Sequence, residues 1–128
     1  MPEASHAAVR GADAYRESLV QLGAEGHLVG TLVQPTGPSA SVGVLFVNAG
    51  VIHRIGPHRI HVKIGRVLAQ DGVPSLRLDL KGLGDSGRAG GTDGMLAQVR
   101  RDIRAALDLL AERTGLSRFV IIGICSGA

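Results

Sequence analysis

The sequence has little cysteine, few aromatic residues and no long apolar run, and each shortage excludes a class of protein. Its 128 residues include one cysteine, Cys125, and three aromatic residues, Tyr15, Phe46 and Phe119. A single cysteine cannot form a disulfide within the chain, which favours a reducing compartment. No apolar run reaches the roughly 18 residues of a membrane-spanning helix, and the first residues lack the apolar segment of a secretory signal. We therefore expect a cytoplasmic protein that does not bind a membrane.

Positive charge is in slight excess, with a formal net charge of +3. Its local source is a run of basic and histidine residues within fourteen positions: His53, Arg54, His58, Arg59, His61, Lys63 and Arg66. A nucleic-acid-binding protein combines such a patch with stacking aromatic side chains or a recognisable fold signature. The sequence has neither, so we expect no nucleic-acid partner.

The apolar content, 45% of residues, is too high for a disordered chain, and the length fits one domain. Residues 1–14 carry alanine, glycine and charge without periodicity. We therefore expect a flexible lead-in over residues 1–14 and one domain over residues 15–128.

Apolar periodicity predicts the strands of this domain. Residues 17–22 and 27–33 flank a glycine-bearing turn, which favours an antiparallel hairpin. Continuous apolar runs at 42–47, 73–80 and 119–122 are typical of strands buried on both faces. Strands that alternate with helices require a mainly parallel sheet. The fold class is therefore α/β, with about five strands begun by an antiparallel hairpin.

Helical spacing predicts two helices between these strands. The first begins after Pro57 and should bury a face made of Ile60, Ile64, Val67 and Leu68. The second begins near Met95 and ends at a glycine C-cap, Gly115. On the second helix we expect a solvated polar face: Arg100, Arg101, Asp102 and Arg104.

The last predicted strand leads into Gly123-Ile124-Cys125-Ser126-Gly127, which fits the pattern G-x-nucleophile-x-G. This sharp strand-to-helix turn presents its middle residue above the sheet and needs the glycines, here Gly123 and Gly127, for space. A cysteine thiolate is a competent nucleophile for acyl transfer. We interpret Cys125 as the nucleophile and the Ser126 N–H as a donor to the oxyanion. A small buried cysteine at a strand end is the alternative interpretation.

Two further motifs precede this turn. Val47-Asn48-Ala49-Gly50 follows the third strand, and residues 77–86 fit R-x-D-x-x-G-x-G-x-S. In this order and on these elements, the three motifs resemble the N-terminal half of an α/β hydrolase. They are most similar to bacterial hydrolases of the serine-aminopeptidase-like kind and to those associated with exosortase systems.

The resemblance implies hydrolysis of an ester, thioester or amide in a small-molecule acyl substrate. It implies that Gly50 and the Val51 N–H form the second side of the oxyanion site, and that Asp79 is a structural residue that braces loops. His53, Arg54 and His58 border this site, and we expect them to hold an anionic group of the substrate.

Family members take the catalytic acid and histidine from strands after the nucleophile, but only three residues follow Cys125. We therefore expect a hydrolase truncated after the turn, with uncertain activity of its own. Residues 119–122 would form an open apolar strand edge. That edge would pair with a C-terminal half or a second copy. A non-catalytic interaction module is the alternative function.

Two other site types have partial matches in the sequence. Gly82, Gly84 and Gly87 match the dinucleotide pattern G-x-G-x-x-G, but residues 88–94 are too rich in glycine to open the helix that this site requires. The histidines at 53, 58 and 61 suggest a metal-binding site, but no cysteine or carboxylate lies close to them in the sequence to complete tetrahedral ligation. We expect no cofactor and no metal.

Overall fold

The computed structural model describes residues 14–87 and 94–124. Residues 1–13 of the expected lead-in lie outside these ranges, as do Cys125, Ser126 and Gly127. Five strands are present: β1 (Tyr15–Leu22), β2 (Leu28–Pro35), β3 (Gly43–Phe46), β4 (Ser75–Asp79) and β5 (Phe119–Ile122). A 3-10 turn at Pro57–Arg59 leads into helix α1 (Ile60–Gln70), and helix α2 (Met95–Thr114) precedes β5.

The strands form one mixed sheet in the order β1-β2-β4-β3-β5. β1 pairs antiparallel with β2, and β2 pairs antiparallel with β4. β3 runs parallel to both of its neighbours, β4 and β5. The predicted α/β class, strand count and antiparallel hairpin are confirmed. β5 lies at one edge of the sheet, and β1 lies at the other.

The two helices lie on opposite faces of the sheet, because neighbouring residues of β3 contact different helices. Leu45 belongs to the apolar cluster that includes Ala106 and Leu110 of α2, whereas the ring of Phe46 stacks on His61 of α1 with centroids 5.0 Å apart. Successive strand side chains point to opposite faces. The α2 face is apolar, and its buried strand residues include Val20, Leu22, Leu28, Leu32, Leu76 and Leu78.

The α1 face of the sheet carries buried polar side chains beside apolar ones such as Phe46. Every second residue of β4, Ser75, Arg77 and Asp79, is buried, and each points away from the leucines at 76 and 78. At the hairpin side, Glu17 of β1 accepts hydrogen bonds from Arg77 Nη2, at 3.3 Å, and from Arg66 Nε. One face of the sheet is therefore closed by apolar packing, and the other combines apolar side chains such as Phe46 and Val33 with buried polar side chains.

Helix α1 does not bury the set of residues that its apolar spacing predicted. Val67 is 59% exposed and Ile60 is also exposed, whereas His61, Val62, Gly65 and Ala69 are buried. The expectation was wrong for Ile60 and Val67, whereas Ile64 and Leu68 are partly buried. The helix turns His61 toward Phe46 and places Gly65 over Ser75 and Arg77 of β4, so Val67 is left outside.

On α2 the structure confirms the end of the helix and corrects one side chain. Gly115 adopts the left-handed conformation, with φ of 73°, and ends the helix as predicted. Asp102, expected in solvent, is buried, because it accepts hydrogen bonds from the backbone N–H of Lys81 and from Gln98 Nε2. In the part of the chain that the structure describes, no helix has the length and apolar character to cross a bilayer.

The apolar face predicts a large difference between two leucines on the hairpin. Leu32→Ala removes a fully buried side chain and should lower the free energy of unfolding by about 2–5 kcal/mol. Leu19→Ala, the same change at a side chain that is 71% exposed, should have a small effect. Urea unfolding followed by circular dichroism measures both, and equal losses would contradict this description of the core.

The polar face predicts a dependence of stability on pH. Partial burial raises the pKa of Glu17, but the hydrogen bonds and charges of Arg66 and Arg77 outweigh that effect and hold the pKa below its ordinary value. Because the folded-state pKa is lowered, the Glu17 contribution is present at neutral pH. It is lost as the pH falls below the unfolded value of about 4.3 and through the folded pKa.

Glu17→Gln should therefore lose less stability than the wild type between about pH 5 and pH 3. Thermal unfolding across this range measures the difference. Glu25→Gln, at an exposed position in the β1–β2 turn, is the matched control and should follow the wild type. A Glu17→Gln curve parallel to the wild type would show that the ion pair contributes nothing.

Candidate functional site

The C-terminal ends of β3, β4 and β5 meet at one end of the sheet, because these three strands are parallel. β3 and β5 are in register from Gly43 opposite Phe119 to Phe46 opposite Ile122. The backbone N–H of Val47 then donates to the carbonyl of Ile122 at 3.1 Å. The loops after β3 and β4 and the segment after β5 therefore start side by side.

The centre of this end is Asp79, the last residue of β4, whose side chain is fully buried. Its Oδ1 accepts hydrogen bonds from Asn48 Nδ2 at 2.9 Å and from the Arg54 backbone N–H at 2.8 Å. Its Oδ2 accepts from Arg54 Nη1 at 2.7 Å and from the Asp85 backbone N–H at 3.1 Å. One carboxylate therefore holds both the loop after β3 and the loop after β4.

Asn48 shapes the loop in which the oxyanion donors were expected. Besides its bond to Asp79, Nδ2 donates to the carbonyl of Ile52 at 2.9 Å, and Oδ1 accepts from the Leu80 N–H at 2.7 Å. The backbone N–H of Ile52 donates to the Ala49 carbonyl at 3.1 Å. Residues 48–52 thus form a turn, here called the oxyanion loop, that is closed on itself and attached to β4.

The two expected oxyanion residues of the β3 side lie at the tip of the oxyanion loop. Gly50 has a left-handed backbone, with φ of 61°, and Val51 is 83% exposed. Within the described residues, no hydrogen bond uses the backbone N–H of Val51. This amide is available to a ligand. Gly123 is partly buried after β5, and the predicted nucleophile Cys125, with Ser126 and Gly127, lies outside the described residues.

The motif at residues 77–86 has a physical explanation in this structure. A Cβ atom at Gly84 would lie 2.4 Å from the Asp79 carboxylate, and the residue has φ of 50°, so glycine is required there. The hydroxyl of Ser86 donates to the Asp79 carbonyl and accepts from the Val29 N–H at 2.8 Å. The loop after β4 is therefore packed against Asp79 and attached to β2.

The structure assigns Arg54 a different role from the expected substrate contact. Its side chain is buried, Nε donates to Thr31 Oγ1 at 2.8 Å, and Nη1 donates to Asp79 and, at 2.8 Å, to Asp85 Oδ2. A guanidinium with these partners braces the loop and cannot reach a ligand in solvent. His58 is exposed, as a substrate contact must be, and has φ of 51°.

His53 is partly exposed and hydrogen-bonds to Asp85. The Ile55 N–H donates to Nδ1 at 3.3 Å, and Nε2 lies 2.9 Å from Asp85 Oδ2 and 2.9 Å from Arg54 Nη1. The hydrogen bonds from Arg54 and His53 hold the pKa of Asp85 below its ordinary value. Asp85 is therefore a carboxylate at neutral pH, although its side chain is 60% exposed.

Ligand atoms of His53, Asp79 and Asp85 lie within 4.8 Å of one another, a spacing compatible with a metal ion. The Arg54 Nη1 atom, however, lies 2.7 to 2.9 Å from one ligand atom of each residue. The guanidinium thus takes the position and supplies the positive charge that a cation would bring. A metal could bind there only by displacing Arg54.

Sequence reasoning assigned no role to three polar residues of this site: Asn48 and Ser86, which belong to its motifs, and Thr31. Asn48 carried a usable signal, because a polar residue directly after a buried strand is placed at the end of the sheet where loops meet. Thr31 gave no such signal, since it stands within a strand. Its contact with Arg54 depends on the pairing of β2 with β4, and Thr31 lies opposite Arg77 in that pairing.

Comparison with solved structures identifies the fold. An α/β serine hydrolase homologue from Coxiella burnetii matches with a TM-score of 0.58 and 19% identity over 84% of this chain and 50% of that one. A cold-adapted esterase from an Arctic intertidal metagenomic library matches with a TM-score of 0.66 and 22% identity, over 88% of this chain and 51% of that one.

A lidless α/β serine hydrolase from Xanthomonas campestris has a TM-score of 0.60 and 17% identity, over 88% of this chain and 52% of that one. No family model and no curated protein matches the chain. The chain spans about half the length of these solved structures. At this level of identity the likeness establishes the fold.

The site predicts unequal effects for two isosteric changes. Asp79→Asn removes the buried charge that pairs with Arg54. It also replaces one carboxylate oxygen, a hydrogen-bond acceptor, by an NH2 group that faces N–H donors. We therefore expect a loss of about 3–5 kcal/mol in the free energy of unfolding. Asp85→Asn, at the exposed partner of the same guanidinium, should cost far less, because solvent screens that pair.

Urea unfolding of the two variants measures the difference. Similar losses at positions 79 and 85 would contradict the central role of Asp79.

Proposed function

We propose that this chain, which has about half of an α/β-hydrolase fold, contributes the nucleophile and the oxyanion site of a hydrolase acting on an ester, thioester or amide. In the proposal Cys125 is the nucleophile, and the backbone N–H groups of Val51 and Ser126 bind the oxyanion, with Gly50 allowing the turn. The catalytic histidine and acid belong to the other half of the fold. The proposed location is the cytoplasm, which the single cysteine favours.

The observation that carries the proposal is the register of β3 and β5. Because Phe46 lies opposite Ile122 in parallel strands, the oxyanion loop and the segment leading to Cys125 leave the sheet as neighbours. Acyl transfer needs this arrangement, since an N–H donor must lie near the carbonyl oxygen while the nucleophile attacks the carbonyl carbon. The Val51 N–H at the tip of the loop, which has no hydrogen-bond partner among the described residues, supports the same assignment.

The proposed reaction has two steps. The Cys125 thiolate attacks the acyl carbon, an S–C bond forms, and the carbonyl electron pair moves to the oxygen bound by the two N–H groups. Collapse expels the alcohol, thiol or amine, which takes a proton from the general acid. Water activated by the same group then hydrolyses the acyl-cysteine and regenerates the thiol.

His53 and His58 are the proposed contacts for an anionic group of the substrate, since both are accessible near the oxyanion loop. Arg54 is excluded from this set by its buried hydrogen bonds. No cofactor enters the proposed reaction.

The proposed partner is a C-terminal half that pairs with the free edge of β5. Val120 and Ile121 are each about half exposed on this edge strand, and the matching solved structures are about twice as long as this chain. Such a partner would cover the edge and bring the missing histidine and acid. A second copy of the chain on the same edge, without chemistry, is the interaction-module alternative.

Acylation of the chain by p-nitrophenyl acetate tests the proposal. The native chain should release about one equivalent of p-nitrophenolate and carry an acetyl group on Cys125. Without the histidine and acid it should not turn over. It should react on the order of 100-fold faster than an unfolded peptide of residues 119–128 at the same pH, because one oxyanion donor is worth about 10² to 10³ in rate.

The cysteine is the only one in the chain, so mass spectrometry reports its acylation directly. Cys125→Ala should abolish the release, and Ser126→Ala should retain it, because Ser126 contributes its backbone N–H. A native chain that reacts no faster than the peptide would refute the acyl-transfer proposal. If that chain also dimerises in sedimentation, the interaction module is favoured instead.

A further inference from the structure

His61 of α1 is an ionisable residue to which the proposed reaction gives no role. Its side chain is fully buried, and its ring stacks on Phe46 with centroids 5.0 Å apart. The ring also packs against Gly56, which has φ of 78° and where a Cβ atom would lie 2.8 Å from His61 Cγ. The imidazole therefore lies in a narrow slot that requires glycine at position 56.

Two hydrogen bonds join His61 to the segment that follows the oxyanion loop. Its backbone N–H donates to the Ile55 carbonyl at 3.0 Å, and Nδ1 lies 3.3 Å from the Arg54 carbonyl. Because a carbonyl oxygen only accepts, Nδ1 carries the proton in this contact. Arg54 is also the residue whose backbone N–H and guanidinium bind Asp79. His61 thus connects the first turn of α1 to the segment that Asp79 holds.

The charged groups around the ring do not favour a positive charge on it. The Arg77 guanidinium acts on it from β4, and the carboxylate of Asp79 is paired with Arg54. No carboxylate among the described residues forms an ion pair with His61. The remaining ionisable side chains of the surrounding loop, turn and helix are exposed or paired with a carboxylate: His53, His58, Arg59, Lys63 and Arg66.

Protonation is therefore costly in this position. Burial lowers the pKa of His61, the hydrogen bond to the Arg54 carbonyl opposes that effect, and the Arg77 charge adds to it, so the pKa lies below its ordinary value. Nε2 is buried without a partner among the described residues. A proton there would create an N–H donor without an acceptor, besides a buried charge. A charged ring is more stable in water than in the slot.

We propose that His61 is a pH-sensitive latch between α1 and the loop after β3. The neutral ring docks the first turn of the helix on the Arg54 carbonyl, and at acidic pH the protonated ring leaves the slot. Its departure breaks the hydrogen bond to Arg54 and loosens the segment next to the oxyanion loop. The apolar packing of α2 lies on the other face, so the sheet itself stays folded. The latch requires no acyl transfer, and its test is independent of the proposed hydrolase reaction.

An NMR titration of the histidine rings from about pH 8 to about pH 4.5 tests the latch. The ring of the exposed His58 should titrate near the ordinary value of about 6.5. The His61 ring should titrate only at lower pH, and the amide signals of Arg54 and Ile55 should shift with it. Titration of His61 together with His58 would show an accessible ring and overturn the proposal. Loss of all β4 amide signals at the same pH would overturn it too, because the sheet would then unfold as a whole.

The dependence of stability on pH gives a second measurement. Because the folded-state pKa of His61 is lowered, the unfolded chain takes up the proton first, and stability falls as the pH drops below about 6.5 toward the folded pKa. The equilibrium constant for folding should fall by up to about tenfold per pH unit in this window. Urea unfolding between about pH 7.5 and pH 5 measures this loss, above the range in which Glu17 titrates.

His61→Asn removes the titrating group but keeps an N–H donor near the position of Nδ1, and it should abolish this part of the pH dependence. His61→Phe, which keeps an aromatic ring against Phe46, should abolish it as well and serves if the asparagine variant does not fold. His58→Asn, at an exposed histidine, is the matched control and should follow the wild type. A folded His61 variant that retains the wild-type dependence would contradict the proposal.

Discussion

The constraint on which the rest of this structure depends is the burial of one carboxylate, Asp79, at the end of β4. A buried charge is stable only when it is paired and fully hydrogen-bonded. Here four N–H groups meet it, and they come from Asn48, Arg54 and Asp85. The loops after β3 and β4 therefore take the one arrangement that brings these donors together.

The two faces of the sheet have different roles as a consequence. The α2 face supplies apolar burial, which is non-directional and tolerates small shifts. The α1 face carries directional contacts from Asp79 and Arg77, and those of Asp79 fix the position of the loops after β3 and β4. Directional hydrogen bonds hold an N–H group in place more precisely than apolar packing does. The oxyanion loop is attached to the α1 face through Asp79, so its N–H groups are positioned in this way.

The sequence predicted most of the fold and less of the site, for a physical reason. Alternation and apolar runs report burial by the hydrophobic effect, so the hairpin, the parallel strands and the end of α2 at Gly115 were predictable. The buried face of α1 was not, because part of the strand surface beneath it is polar and Val67 is left outside. Likewise, the burial of Arg54 and Asp102 depends on partners that are 25 and 21 positions away in the chain.

The most direct test of the Asp79 account is amide hydrogen exchange resolved by residue in the native chain. The backbone N–H groups of Arg54 and Leu80, which donate to Asp79 and Asn48, should exchange as slowly as those of β4, since they open only with the sheet. The Val51 N–H should exchange near the rate of an unprotected amide. If Arg54 and Leu80 exchange as fast as Val51, the buried carboxylate does not hold the oxyanion loop.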